Sequence, residues 1–284
     1  MDIREPAIAR DEILFLSDPD FHPGHVCIVT GAAGGIGRAT AVAAAANKIM
    51  TVGLDVNQEG GKETQRLARQ MGGQMIFIQT DLTKDPDMDH AVAEAAKLGQ
   101  IRYLINIAGM QHIDFIEDFP MDRYDYMQRL NLRSAVYLSK LCIPHFKKSP
   151  DGKGVVGNMA SVHGHIATLA KVSYNISKFG MRALTQSIAA EGAGQIRAFS
   201  VSTAFVKTAL TLGQIPAQAQ KRGISPEEVV TGVMCGETRV KELMNPVEVG
   251  NLFLFGISRF ARFLVGGDLL FDGGMVLTYA EKKK

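Results

Sequence analysis

The chain has 284 residues, of which 46% are apolar and 21% charged, and its formal net charge is +2. That balance suits a packed core and excludes a largely disordered chain. Near-neutrality removes any electrostatic reason to expect nucleic acid or an anionic membrane as partner. Cys27, Cys142 and Cys235 lie far apart and are odd in number, so they suggest neither a disulfide framework nor a zinc-ligand spacing. Cys27 and Cys142 fall in apolar runs and are expected in or near the core. Asp2, Glu5, Asp11, Glu12, Asp18 and Asp20 crowd the first two dozen residues, a pattern unlike a signal or transit peptide. No apolar run approaches the roughly 20 residues that span a bilayer, and a soluble, cytoplasmic protein is expected.

Residues 1–24 read as an N-terminal extension. After it, strand-like apolar runs at 25–30, 50–55, 75–79, 103–107, 155–159, 197–202 and 268–271 alternate with helical patterns at 36–47, 58–70, 88–97, 122–146 and 174–191. This alternation predicts a doubly wound α/β domain over 25–284, with a Rossmann-type parallel sheet of seven strands covered by helices on both faces. Strands as continuously apolar as Val26-Cys27-Ile28-Val29 agree with burial on both sides. Residues 206–245, with Pro216, Gly223 and Pro226, break the rhythm and are expected to form a lid or binding segment. Lys282-Lys283-Lys284 reads as a solvated tail.

The first strand leads into Thr30-Gly31-Ala32-Ala33-Gly34-Gly35-Ile36-Gly37, and a helix follows. Glycines at 31, 35 and 37 permit a sharp turn, close approach of backbone to a pyrophosphate, and tight packing of helix on strand. The helix start then presents free N–H groups to the phosphates. Asp55 ends the second strand, where a carboxylate accepts hydrogen bonds from the adenosine ribose and repels a 2′-phosphate, so NAD is expected over NADP. Arg38, at the start of the helix, need not face that ribose. Asp81-Leu82 and Asn106-Ile107-Ala108-Gly109 follow the next two strands, where ligands bind in open α/β sheets.

Tyr174 and Lys178 are four positions apart on a helical run and therefore share one face. A tyrosine is a poor base near neutrality, and lowering its pKa by ~3 units takes roughly 4 kcal/mol, which a neighbouring ammonium is suited to supply. Ser161 closes the preceding strand and is placed to donate to a substrate oxygen.

Together, Thr30–Gly37, Asp81, the Asn106–Gly109 turn, Asn131, Ser161 and Tyr174-x-x-x-Lys178 resemble the motif set of the short-chain dehydrogenase/reductase family, over about residues 25–277. The resemblance implies a strand order 3-2-1-4-5-6-7 and a homotetramer. It makes Tyr174 the general acid/base, Ser161 the group polarising the substrate oxygen, and Asn131 the holder of a water in the proton relay. Lys178 then binds the nicotinamide ribose and lowers the Tyr174 pKa. Gly31, Gly35, Ile36, Gly37, Asp55, Asp81, Leu82, Asn106, Ala108, Gly109 and Thr208 are implied cofactor contacts. Two departures stand out: Ile107 replaces an Asn, and Thr203-Ala204 replaces the usual Pro-Gly beside the nicotinamide, which puts the local loop geometry in doubt.

A second set, Gln111, His163, Lys171 and Gln214 with Phe205, is similar to the branch of that family acting on D-3-hydroxybutyrate, where such residues hold the substrate carboxylate and an aromatic covers the methyl end. A small hydroxy acid needs charge-assisted hydrogen bonds to be oriented, which this set supplies. The alternatives are a dehydrogenase of the same family for an uncharged polyol, sugar or cyclic alcohol, and a non-catalytic NAD-binding regulatory protein. His112, His163 and His165 lack partners at ligand spacing, so no metal is expected.

Overall fold

Buried β-branched and aliphatic runs produce seven strands: β1 (His25–Thr30), β2 (Met50–Asp55), β3 (Met75–Gln79), β4 (Gln100–Asn106), β5 (Gly154–Met159), β6 (Ile196–Thr203) and β7 (Asp268–Phe271). The structure, a computed structural model, describes residues 4–277, and the Lys282–284 tail lies outside them. All seven strands form one sheet in the order β3-β2-β1-β4-β5-β6-β7, and each neighbouring pair is parallel. Val29 of β1 opposes Gly53 of β2 on one side and Ile105 of β4 on the other. The chain direction of the winding reverses between β1 and β4, and a crevice opens there at the carboxyl ends of the strands.

The connections are α1 (Gly35–Ala46), α2 (Gln58–Gln70), α3 (Asp85–Ala96), α4 (Met121–Gln128), α5 (Ser134–Lys147), α6 (Val172–Glu191), the short α7 (Ala209–Leu212), α8 (Ile215–Arg222) and α9 (Pro226–Glu228), and α10 (Pro246–Ile257). One face of the sheet packs on α1 and α10 through residues such as Val29, Val42, Phe199, Phe253 and Leu254. The other face packs Ile28, Leu104 and Val156 against Met88 of α3 and Leu138 and Cys142 of α5. Alanines fill the middle of α1 because it lies so close to sheet and helix that larger side chains have no room.

The helix expected over 122–146 is two helices, with a π-turn at Arg129–Arg133 between them. The cause is local: Asn131 sits in that turn and its side chain is engaged by the backbone of Met110 rather than facing outward. Widened turns of this kind re-aim a side chain inside a helix.

The N-terminal extension packs on its own chain. Ile13 and Phe21 are buried, Asn47 just after α1 hydrogen-bonds the backbone of Leu14 and Leu16, Asn251 of α10 bonds that of Glu12 and Leu14, and Asp18 accepts from the Arg259 N–H. Residues beyond β6 form a small body with an apolar cluster of its own, including Leu212, Ile215, Val229, Met234 and Leu243.

Phe199 is fully buried, with its ring 6.0 Å from that of Phe253. Phe199→Ala is expected to destabilise the protein by about 3–5 kcal/mol through the cavity it leaves. Urea unfolding followed by circular dichroism measures this; a loss under about 1 kcal/mol would mean the sheet face collapses to fill the gap.

Candidate active site

At the end of β1 the chain turns through Gly31, whose φ of +70° excludes most side chains. A Cβ on Gly37, one turn into α1, would lie 2.0 Å from the Gly31 carbonyl oxygen, so only glycine lets the helix approach the strand this closely. The Thr30 hydroxyl accepts from the backbone N–H groups of Ile107 and Ala108 at 2.9 and 3.0 Å, which pins the turn after β4 to the glycine loop. The Asp55 carboxylate accepts from the N–H groups of Ala33 at 3.1 Å and Asn57 at 2.9 Å.

These groups wall a cavity of about 440 Å³. Gly31, Gly35, Ile36, Gly37, Asp55, Asp81, Leu82, Ala108 and Gly109 line one end, and Ser161, Tyr174 and Lys178 the other. Thr203, Ala204 and Thr208 close it from the β6 side. The replaced Thr203-Ala204 pair therefore lies on the cavity wall, where its loop is held by backbone bonds from Lys207 N to Met244 O at 2.8 Å and from Met244 N to Phe205 O at 3.1 Å. Asn106 stands below the wall and donates to the Asn158 side chain at 2.9 Å.

β5 delivers Ser161 and α6 delivers Tyr174 and Lys178 to a common point. The buried Lys178 ammonium donates to the Met159 carbonyl at 2.8 Å and lies 5.5 Å from the centre of the Tyr174 ring. Burial pushes its pKa down to about 8. The lowering expected for Tyr174 is not seen: burial raises its pKa, opposed by a hydrogen bond with Ser161. Desolvation outweighs that hydrogen bond at the phenol.

Part of the proposed carboxylate set assembles beside this point. His163 is buried, with Nδ1 3.2 Å from the Ser161 oxygen and Nε2 2.9 Å from the Thr168 hydroxyl. Lys171 Nζ approaches the same Nε2 at 3.4 Å. An ammonium has only donors, so Nε2 is the acceptor and Nδ1–H is left to donate to Ser161. That arrangement leaves the serine hydroxyl proton free to point into the cavity. Burial, helped by the charges on Lys171 and Lys178, pushes the His163 pKa down to about 4, and burial also lowers that of Lys171.

Other expected residues stand apart from the cavity. Phe205 packs on the apolar cluster of the 206–245 segment and lines a separate cavity of about 210 Å³ behind the wall. Gln214 donates to the Leu210 carbonyl at 2.8 Å, and Gln111 is half-buried outside the lining. Asn131 is buried and staples Met110, accepting from its N–H at 2.9 Å and donating to its carbonyl at 2.8 Å, with Ser177 Oγ at 3.4 Å. In this structure its side chain braces the turn after β4, directly behind the lining residue Gly109. Among the described residues no group of three His, Cys, Asp or Glu side chains converges as metal ligands do, and no helix is long and apolar enough to cross a membrane.

Among the wall residues outside every motif, one carries a charge. Glu5, from the N-terminal extension, reaches the glycine loop, and its carboxylate accepts from the N–H of Gly35 at 3.4 Å and of Ala209 at 2.6 Å. No sequence spacing signals this, because the contact spans two segments 30 and 204 residues apart.

A glycine loop over a helix start, joined to a Ser–Tyr–Lys cluster at the mouth of a parallel sheet, defines a dinucleotide-dependent oxidoreductase of the doubly wound α/β class. The short chain dehydrogenase family model matches residues 25–218, and the chain belongs to that family. It is 32% identical over 251 residues to the D-beta-hydroxybutyrate dehydrogenase of Rhizobium meliloti, covering 87% of this chain and 96% of that one. The enzyme of the same name from Cupriavidus necator is 31% identical over 258 residues, 89% of this chain and 98% of that one. Among solved structures, an actinorhodin polyketide ketoreductase with NADPH superposes with a TM-score of 0.83 at 21% identity, over 89% of this chain and 97% of that one.

The buried, neutral His163 generates a stability prediction. Its folded pKa of about 4 lies below the ordinary 6.5, so as pH falls through this window the unfolded chain takes up the proton first. Stability is complete above about pH 6.5 and drains as pH falls toward 4. His163→Gln should flatten this acid limb, read as a smaller shift of the urea midpoint between pH 7 and pH 5 than the parent shows. An unchanged slope would place the acid sensitivity elsewhere.

Proposed function

We propose that this chain interconverts a short hydroxy acid, D-3-hydroxybutyrate, and its keto acid with NAD. The observation that carries the reading is the convergence of Lys171 and His163 on Ser161 and Tyr174, which puts a half-buried cation beside the groups that would handle an alcohol oxygen. The similarity to two proteins named D-beta-hydroxybutyrate dehydrogenase supports it.

The site fits a dinucleotide. The loop glycines leave the backbone bare, and an anion, the Glu5 carboxylate, already accepts from the Gly35 N–H where a phosphate would. Asp55, among the lining residues, supports NAD over its 2′-phosphorylated form. Arg38 donates to the Ala33 carbonyl and the Thr64 hydroxyl, with its remaining guanidinium nitrogen toward Glu5. Lys178 would hold the nicotinamide ribose, and a bound nicotinamide supplies the hydride acceptor or donor. Ser161 donates its hydroxyl proton to the substrate oxygen, while Tyr174 takes or returns the proton at its phenol oxygen. Lys171 pairs with the carboxylate and fixes the carbon that reacts. For the 206–245 segment to act as a lid with Gln214 turned inward, the Gln214–Leu210 contact has to break.

The first test is NADH formation with D- and L-3-hydroxybutyrate and with an uncharged alcohol such as 2-butanol. Turnover of the D acid and little of the others is expected, and activity confined to uncharged alcohols would overturn the substrate reading. Tyr174→Phe should cut kcat by about 10²–10⁴-fold, the share a positioned acid/base provides. Lys171→Met should raise KM for the hydroxy acid by about 10–100-fold, the worth of a charge-assisted hydrogen bond, and leave 2-butanol kinetics unchanged. Equal damage with both substrates would make Lys171 a structural residue only.

A further inference from the structure

We infer that the N-terminal extension is a built-in competitor for the cofactor, with the Glu5 carboxylate seated on backbone donors that the dinucleotide pyrophosphate needs. The inference rests on the chain being a nicotinamide-dependent dehydrogenase, and it is independent of which alcohol is oxidised.

Glu5 lines the same cavity as Gly31, Gly35, Gly37 and Asp55. Its two oxygens divide between the N–H of Gly35, the first residue of α1, and the N–H of Ala209, the first residue of α7. The Arg38 guanidinium lies 3.9 Å away. The carboxylate thus bridges the phosphate loop and the segment after β6, closing the cavity at the place where an anion belongs. A Cβ built on Gly35 would meet the Thr208 side chain at 2.9 Å and the Glu5 carboxylate at 3.8 Å, so Thr208 covers the face of that glycine and Glu5 lies beside it.

The tether makes the contact effective. Residues 12–18 are fixed by the Asn47, Asn251 and Arg259 bonds, and Ile8 packs on the apolar core. Glu5 is thereby held a few residues from a fixed anchor, where its local concentration greatly exceeds that of a free anion. A pyrophosphate at Gly35 would meet a carboxylate of like charge, so Glu5 has to leave before the dinucleotide seats. The apparent affinity falls by the fraction of time the strap is open, about tenfold if it is closed nine-tenths of the time. Glu5 accordingly sets the affinity for the cofactor without touching the reacting atoms.

The test is binding rather than turnover: NADH fluorescence titration of the full chain and of Glu5→Gln and Glu5→Ala. Both variants are expected to bind NADH more tightly, by about five- to tenfold. An unchanged or weaker affinity in Glu5→Ala overturns the inference, and would make Glu5 a support of the loop. A second readout needs no substitution: hydrogen exchange of the amides in residues 4–9 of the unaltered chain should speed up when NADH saturates it. Unchanged or slower exchange there likewise overturns the inference. Because no alcohol is present in either measurement, failure of the hydroxybutyrate reading leaves both outcomes legible.

Discussion

The site depends on how closely α1 approaches the end of β1. With the Gly37 backbone against the Gly31 carbonyl, the start of α1 is aimed at the crevice between β1 and β4. A methyl group at 37 would push the helix away from the strand and turn its free N–H groups aside. The Thr30 hydroxyl then ties the turn after β4 to the same loop, and Asn131 braces that turn from the far side through Met110. The glycine loop, the β4 turn and the π-turn are therefore one connected body, held by backbone packing at Gly37 and by the short side chains of Thr30 and Asn131.

The second organising fact is electrostatic. Two lysines and a histidine are gathered around Ser161 and Tyr174, and burial lowers the pKa of all three. Two lysines beside a neutral histidine are tolerated because each group has a partner: Lys178 the Met159 carbonyl, Lys171 the His163 ring, and His163 the serine and threonine hydroxyls. An entering carboxylate would reverse the balance at Lys171 by favouring its charged form. An uncharged alcohol offers no such compensation, which is the physical ground for expecting the pocket to discriminate between them.

Strands β1, β2, β3 and β7 are bounded as the sequence predicts: β1 and β2 are buried on both faces and leave apolar runs closed by Gly or Asp, while the edge strands β3 and β7 are short apolar runs that stay partly exposed. Lys178, Tyr174 and Ser161 were equally legible, since a four-residue spacing on a helix and a position at a strand end fix where side chains emerge. Phe205 and Gln214 were not. They lie in an irregular segment where spacing does not determine direction, and there the apolar cluster around Leu212 and Val229 captures Phe205 while the Leu210 carbonyl captures Gln214. The bracing of Met110 by Asn131 is not legible either, because nothing in the sequence marks the π-turn that directs its side chain there. Glu5 left no trace, as its partners are brought near only by the extension packing on α1 and α10.

The Thr203-Ala204 replacement illustrates how a lost motif can be compensated. A proline after β6 would stiffen the loop by fixing φ. Here the stiffness comes from pairing instead: Val206 and Met244 form a parallel bridge, and backbone bonds from Lys207 and Met244 hold the loop on both sides. The loop keeps its wall position with ordinary residues, and Thr208 caps α7 from the same run, its hydroxyl accepting from the Thr211 N–H. That N-terminus of α7 is where Ala209 meets Glu5, so the pairing that replaces proline also places one of the two donors that hold the strap.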